Sequence, residues 1–303
     1  MAMTAPVVLA HGVAGAAPSP LSAITAWSID PIPWISAFVA GGAYLVGARR
    51  VNRANPRVPV PRWRMVSWLA GLAVILVALS SAIDVYAGVF LSVHMVQHLM
   101  LAMVAPPLLA LGAPITLALR VASPETRHRL ILPVLHSRIV RVLASPLVVW
   151  SLFAAAMWLT HFSPLYNAAL EDPNVHDAEH VLYLATGLLF WWPAIAADPV
   201  PQRMGYGTRL AYLGFQMPIN AAVGLAIYFA PAVLYSHYAT LVRTWGPDAL
   251  TDQQIGGVLM WGAGDLLLLA AIPLVVVAWM RADVRRSARF DARSRADEHA
   301  PIS

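Results

Sequence analysis

The stretch IGGVLMWGAGDLLLLAAIPLVVVAWM, residues 255–280, is the clearest indication of the fold class of this chain. It contains a single ionisable residue, Asp265, and it is followed at once by Arg281. As a helix it would be about 39 Å long at 1.5 Å per residue, which exceeds the hydrocarbon core of a bilayer, about 30 Å. The stretch therefore predicts a membrane-spanning helix with basic residues at its end.

Similar apolar stretches occur six more times along the chain. Proline lacks a backbone N–H donor, so we expect bends in the third stretch at Pro106 and Pro107, and in the sixth at Pro218 and Pro231. The seven predicted spans lie near residues 32–48, 65–83, 87–112, 145–162, 178–197, 208–236 and 255–280.

The composition indicates lipid as the main solvent of the protein. Of 303 residues, 59% are hydrophobic and 12% are charged, whereas soluble domains average about 25% charged residues. The chain has no cysteine, which excludes disulfides, iron–sulfur clusters and cysteine-ligated metal sites within it. The net charge of +5 comes from arginines beside the spans, so it indicates topology and gives no reason to expect nucleic acid as a partner.

Arginines are confined almost entirely to one side of the predicted membrane. Nineteen of the twenty follow spans one, three, five and seven, and Arg243 is the exception. Because basic residues are retained in the cytoplasm, this pattern predicts an all-α seven-transmembrane helical bundle with the N-terminus outside and the C-terminus in the cytoplasm. The predicted domains are an extracytoplasmic lead-in at 1–30, a helical membrane domain at 31–281 and a cytoplasmic basic tail at 282–303.

Histidines gather at the opposite, outer side of the predicted bundle, where two His-x-x-x-His pairs and a further histidine end or begin spans. Residues four apart lie on one helix face, so each pair could share one metal ion or line one polar channel. A pair could equally form an interhelical hydrogen bond. Imidazole suits copper, zinc, iron and nickel, and ionisable groups inside a bilayer are by default functional. The candidate metal ligands are His94, His98, His161, His176 and His180.

Three blocks of sequence carry a resemblance to a known family. They are HMVQHLMLAMVAPPLLALGAPITLALR (94–120), LTHFSPLYNAALEDPNVHDAEHVLYLATGLLFWWP (159–193) and TDQQIGGVLMW (251–261). In this order and at this spacing, they resemble the multi-span CtaG-type cytochrome c oxidase assembly family of bacteria over roughly residues 30–280. The resemblance implies a role in making active haem–copper oxidase and a link to copper supply. In some actinobacterial proteins a similar region is joined to a copper-resistance membrane domain.

The resemblance implies a non-enzymatic copper chaperone of the respiratory chain in the bacterial cell (inner) membrane. It would pass copper to a haem–copper oxidase subunit beside it in the lipid bilayer. Copper handling is kept largely extracytoplasmic, and the arginine pattern independently places the histidines on that side. The motif positions that the resemblance singles out are His94, His98, His161, His176, His180, Glu179, Asp252, Gln253, Met260 and Trp261.

Two other functions stay open at this point. Paired histidines on helices also hold bis-His haem, which would make the chain a metal-dependent membrane redox protein. Proline-broken spans and the intramembrane Asp265 would suit a copper or proton transporter. Against transport, the histidines cluster at one face and do not form a path across the membrane. Glu179 or Asp177 is expected to orient an imidazole by accepting its second N–H.

Overall fold

The computed structural model of the chain describes residues 19, 25–28 and 30–298 and is helical, with no β-strand in the described part. Most of the predicted lead-in at 1–30, and residues 299–303 of the predicted tail, lie outside the described residues. The helices are α1 (Pro31–Ala54), α2 (Arg62–Ser80), α3 (Ala82–Ala87), α4 (Leu91–Leu99), α5 (Ala105–Leu111), α6 (Pro114–Val121), α7 (Pro124–Thr126), α8 (Leu132–Leu135), α9 (Arg138–Leu143), α10 (Pro146–His161), α11 (Leu165–Glu171), α12 (Pro173–Ile195), α13 (Tyr206–Tyr228), α14 (Ser236–Thr240), α15 (Ala249–Val258) and α16 (Gly264–Glu298).

Five continuous helical segments of the described chain are long and apolar enough to cross a membrane. The pair α10 and α11 makes a sixth candidate if these helices, bent by 67° at their junction, form one span. Helix α12 has 23 residues but is not among the apolar segments, because its first turns are polar. The all-α membrane fold is thus confirmed, with five or six candidate spans by length and composition. The five segments are Pro31–Ala54, Arg62–Ser80, Leu91–Val121, Tyr206–Tyr228 and Ala249–Ala288.

Aspartate side chains cap the N-termini of three helices. Asp30 caps α1, Asp172 caps α12 and Asp248 caps α15, each by accepting a hydrogen bond from a free backbone N–H of the first turn. Such caps satisfy donors that have no partner inside the helix. The hydrogen bond from the Thr251 side chain also holds the pKa of Asp248 below its ordinary value.

The third predicted span changes its helical geometry next to its two prolines. A π-helical turn, Met100–Val104, joins α4 to α5, and Pro106 and Pro107 follow it within the first turn of α5. A π turn inserts an extra residue into the helical ladder, and it is a common way of accommodating a local irregularity. The predicted disturbance at the prolines is therefore an insertion, and the chain stays helical through it.

The sixth predicted span is shorter than its sequence suggests. Helix α13 continues through Pro218 but ends at Tyr228, and Pro231 lies in a non-helical segment. The segment after Pro231 is held by Gln253 of α15, whose Oε1 accepts from the backbone N–H of Leu234 at 2.7 Å. The prediction of a span up to residue 236 was wrong at this end, because Gln253 supplies hydrogen-bond partners that stabilise a non-helical backbone.

Close backbone packing places α12 directly against the π turn of the third span. A Cβ atom added at Gly187 would lie 2.6 Å from the carbonyl oxygen of Ala102 and 2.8 Å from Cγ of Pro106. Small residues allow membrane helices to approach in this way, and van der Waals packing then replaces the hydrophobic effect as the source of association. This contact brings the histidine-bearing turns of α4 and α12 side by side.

Candidate metal centre

The two histidines of α4 meet a glutamate of α12 inside the bundle. The Nε2 atoms of His94 and His98 are 2.7 Å apart. Oε2 of Glu179 lies 3.6 Å from Nε2 of His98 and 4.0 Å from Nε2 of His94. All three side chains are at most 3% exposed, and their ligand atoms lie within 4.8 Å of one another. Two imidazoles and a carboxylate in this arrangement can hold one metal ion.

The remaining three predicted ligands surround this trio. The ring of His176 lies 5.2 Å from that of His94, and the rings of His161 and His180 lie 5.9 and 6.2 Å from that of His98. The structure therefore brings all five predicted histidines into one cluster. The grouping within ligand distance is His94, His98 and Glu179, so the carboxylate that was expected to orient an imidazole lies beside the Nε2 atoms of both histidines.

Hydrogen bonds that end on backbone carbonyls fix which nitrogen of two imidazoles faces the cluster. The hydroxyl of Tyr238 donates to the carbonyl of Ala87 at 2.7 Å, so it can only accept from Nδ1–H of His94, 3.1 Å away. Nδ1 of His161 lies 2.7 Å from the carbonyl of Met157 and must donate to it. In both neutral rings the lone pair is then on Nε2. An outer hydrogen bond that fixes the tautomer in this way is the usual support of a metal-binding histidine.

The cluster contains several buried polar atoms that find no hydrogen-bond partner among the described residues. Leaving such atoms unsatisfied costs about 1–3 kcal/mol each, and a bound ion or ordered water is the usual explanation. An ionised carboxylate within an apolar bundle is costly unless a positive charge lies nearby. The residues present thus fit a cation. The unpartnered atoms are Nδ1 of His98, Nε2 of His161, Nε2 of His176, Nε2 of His180 and Oε2 of Glu179.

The cluster is also lined by tyrosines that no sequence pattern had singled out. Tyr183 donates to Oε1 of Glu179 at 3.4 Å, and the ring of Tyr166 lies 5.3 Å from that of His94. Tyr183 could have been found, because it follows Glu179 by four residues and shares its helix face. Tyr238 could not, because it is 144 residues from its partner His94.

A carboxylate of α15 sets the start of α4 and thereby the position of His94. Asp252 is fully buried and accepts from the backbone N–H groups of Leu91 and Ser92 at 2.7 and 3.2 Å. Its second partner is Arg243, at 3.2 Å. The one arginine outside the topological pattern is therefore explained by a buried ion pair. Asp252 acts as a positioning residue one turn before the first histidine.

Replacing Asp252 with asparagine is expected to destabilise the protein and weaken metal retention. The amide cannot accept from both N–H groups while neutralising Arg243, and a buried charge that loses its partner costs about 3–5 kcal/mol. The midpoint of thermal unfolding in detergent and the bound metal measure the two effects. Asp248→Asn is the matched control, because that cap lies on the same helix but is exposed. Equal midpoints for the two variants would contradict this role for Asp252.

A second network fixes the outer face of α4. Nε2 of Gln97 donates to the carbonyl of Ala78 at 2.9 Å and to Oδ1 of Asp84 at 3.1 Å. Asp84 also accepts from the hydroxyl of Ser28 at 2.7 Å. Burial raises the pKa of the Asp84 carboxyl above its usual range, and the hydrogen bonds from Ser28 and Gln97 oppose that shift. These contacts hold α2 and α3 against the helix that carries the histidine pair.

The other residues singled out by the sequence lie outside the cluster. Met260 packs in the apolar core, and Trp261 is 41% exposed. Asp265 accepts from the side chain of Asn220 at 3.1 Å and thus links α16 to α13.

The family model of the cytochrome c oxidase caa3 assembly factor (Caa3_CtaG) matches residues 42–282 of this chain. The chain belongs to this family. The match includes every residue of the histidine cluster and both helices that carry the trio. The resemblance found in the three sequence blocks is thereby confirmed. Members of the Caa3_CtaG family are cytochrome c oxidase assembly factors.

Curated relatives of this Caa3_CtaG chain are longer proteins from mycobacteria. An uncharacterized protein of Mycobacterium leprae is 32% identical over 275 residues, which is 88% of this chain and 41% of the relative. Uncharacterized proteins of Mycobacterium bovis and Mycobacterium tuberculosis are each 30% identical over 281 residues, 90% of this chain and 42% of the relative. The chain thus spans about two fifths of the length of these relatives. No solved structure matches it.

Proposed function

We propose that this protein binds copper at the trio His94, His98 and Glu179 and supports its delivery to a haem–copper oxidase. The observation that carries the proposal is the convergence of the three ligand atoms within 4.8 Å in a buried site of a chain that belongs to an oxidase assembly family. Copper is cargo in this role, so the chain performs no catalysis of its own.

The proposed topology has seven spans, with the metal centre near the extracytoplasmic face. Helix α12 counts as the seventh span, in addition to the five apolar segments and the pair α10 and α11. Its polar residues His180 and Glu179 are buried within the bundle and do not face lipid. The arginine pattern then puts the N-terminal side of α1 outside a bacterial cell membrane and the arginine-rich C-terminal end of α16 in the cytoplasm. Supporting this arrangement, the histidine cluster and the arginine-rich connections lie at opposite ends of the same helices.

The ligand types favour a copper ion that is held and then released. Imidazole suits copper, and a carboxylate adds affinity for a divalent ion. His94 and His161 already present the unprotonated Nε2 that metal binding requires. His176 and His180 lie close enough to take over a ligand position during transfer, since their rings are 4.1 Å apart and border the trio. The proposed recipient is an oxidase subunit beside this protein in the membrane.

One specific observation favours a second candidate, a non-haem iron protein. Two histidines and a carboxylate with open positions are typical of ferrous sites. The arrangement does not favour bis-His haem, because aromatic rings occupy the space around the trio. The ring of Tyr183 lies 4.3 Å from that of His98, and the ring of Tyr166 lies 5.3 Å from that of His94.

Metal content and an optical spectrum of the detergent-purified protein test the proposal. We expect about one equivalent of copper, no Soret band, and a loss of affinity of at least about tenfold in Glu179→Gln. Asp177→Asn is the matched control, since Asp177 lies on the same turn of α12 but is exposed. Preferential binding of iron would favour the second candidate, and equal copper binding by Glu179→Gln would exclude Glu179 as a ligand.

A further inference from the structure

An apolar cavity lies at the arginine-rich end of the bundle, away from the histidines. Its volume is about 390 Å³, which is within the range of about 300–1,000 Å³ typical of ligand pockets. Side chains of α5, α12, α13 and α16 form its walls, among them Leu108, Ala194, Leu213 and Ala271. One charged residue, Arg209, lines it.

The guanidinium of Arg209 has few partners for a buried charge. The side chain is 6% exposed, and its Nε has no hydrogen-bond partner. Its NH1 donates to the carbonyl of Ile195 at 3.5 Å, and its Cζ lies 5.1 Å from the ring of Tyr206. Within the described residues, no carboxylate lies at ion-pair distance from it. A buried cation without an anion is costly, so the site favours an anionic ligand.

A second polar atom at the cavity is also unsatisfied. Trp191 is 2% exposed and lines the cavity, and its indole Nε1–H has no acceptor among the described residues. A guanidinium offers several donors in a planar fork and an indole offers one, so the unsatisfied groups of both side chains call for acceptor oxygens. The two unsatisfied donors and the apolar walls together describe a ligand with an anionic head and a long apolar body.

We propose that this cavity binds an anionic phospholipid, with its phosphate at Arg209 and one acyl chain along the apolar walls. Basic pockets between spans on the arginine-rich side of a membrane protein are known binding sites for anionic lipid headgroups. The wall formed by α16 opens to the surroundings, because Leu274, which lines the cavity, is 67% exposed. A lipid can therefore enter sideways from the bilayer.

The lipid site is independent of the proposed metal centre. Trp191 and Glu179 lie on the same helix, twelve residues apart, which corresponds to about 18 Å at 1.5 Å per residue. A variant at Arg209 should therefore change lipid binding without changing metal content, and a failure of one proposal leaves the other intact.

Native mass spectrometry of the full chain, titrated with phosphatidylglycerol or phosphatidylcholine, tests the proposal. We expect phosphatidylglycerol to bind at least about tenfold more tightly, and Arg209→Gln to remove about tenfold of that affinity. Arg203→Gln is the matched control, because Arg203 lies just before α13, six residues from Arg209, but is exposed and does not line the cavity. Ala271→Phe tests the acyl-chain part separately by filling the cavity while leaving the arginine in place.

Each outcome of this experiment bears on the proposal. Weakened phosphatidylglycerol binding in both Arg209→Gln and Ala271→Phe, with normal binding in Arg203→Gln, supports it. Equal affinity for the two lipids overturns it, as does unchanged phosphatidylglycerol binding in either Arg209→Gln or Ala271→Phe. A free fatty acid that displaces the phospholipid at equal concentration also overturns it, because the phosphate would then not be the recognised group. If Arg209→Gln does not fold, Ala271→Phe alone decides the result.

Discussion

Replacing both His94 and His98 with alanine is expected to abolish copper retention by the purified protein. Oxidase activity should also be lost from membranes in which this variant is the only form of the protein. These residues supply two of the three ligand atoms within 4.8 Å, so a single carboxylate would remain. Both rings are interior, but neither residue caps a helix, and alanine has the highest helix propensity. We therefore expect the variant to be expressed at the wild-type level.

Two measurements separate a metal-binding role from a structural one. Copper per purified chain reports the site itself, and copper per oxidase in the same membranes reports delivery. His128→Ala with His136→Ala is the matched control, because it also removes two histidines but both are exposed and far from the cluster. A His94/His98 double variant that still holds a full equivalent of copper would place the metal elsewhere. Normal copper in the oxidase would argue against delivery through this protein.

Substituting Gly187 by alanine is expected to lower the free energy of unfolding, although the same change elsewhere in a helix raises it. The new methyl group would lie 2.6 Å from the carbonyl oxygen of Ala102 and 3.1 Å from its Cα. These are backbone atoms in the π turn, so they cannot move aside as a side chain can. Overpacking of this kind costs about 1–3 kcal/mol, which outweighs the gain of about 1 kcal/mol from replacing a helical glycine.

The displacement caused by this methyl group should also reach the metal centre. Glu179 lies two turns before Gly187 on α12, and His94 and His98 lie on α4, which leads directly into the π turn that Gly187 contacts. Pushing the two helices apart would separate the carboxylate from both imidazoles, so we expect weaker copper binding. The midpoint of thermal unfolding and copper affinity measure the two effects. Gly214→Ala is the matched control, because a Cβ atom there meets nothing within 4 Å. Equal stability of Gly187→Ala and Gly214→Ala would contradict the expected clash with the π turn.

Much of the architecture could be predicted because its determinants are local. A span needs only a sufficient run of apolar residues, and each arginine contributes to topology from its own connection. The His-x-x-x-His pairs were recognisable because residues four apart always share a helix face. A disturbance at Pro106 and Pro107 was also expected, because proline lacks a backbone N–H donor. Its form as a π turn was not expected.

The composition of the site was less predictable because it depends on how each helix is rotated about its axis. In a soluble helix the apolar face identifies the side that is buried. Here lipid is as apolar as the core, so apolar residues occur all around the spans and do not identify the inner face. The sequence could therefore place Glu179 near the histidines. It could not show whether the carboxylate faces them or lies on the exposed side of the turn, where Asp177 is found.

A helical membrane protein, with basic residues at one end of its helices and five histidines at the other, could be inferred from the order of the amino acids. The approach of Glu179 to His94 and His98, the imidazole tautomer fixed by Tyr238, and the cap that Asp252 makes on α4 while pairing with Arg243 became evident from the packing of the helices. Those contacts join residues far apart in the chain. They exist only when helices pack in one particular rotation, and no periodicity of a single helix encodes that rotation.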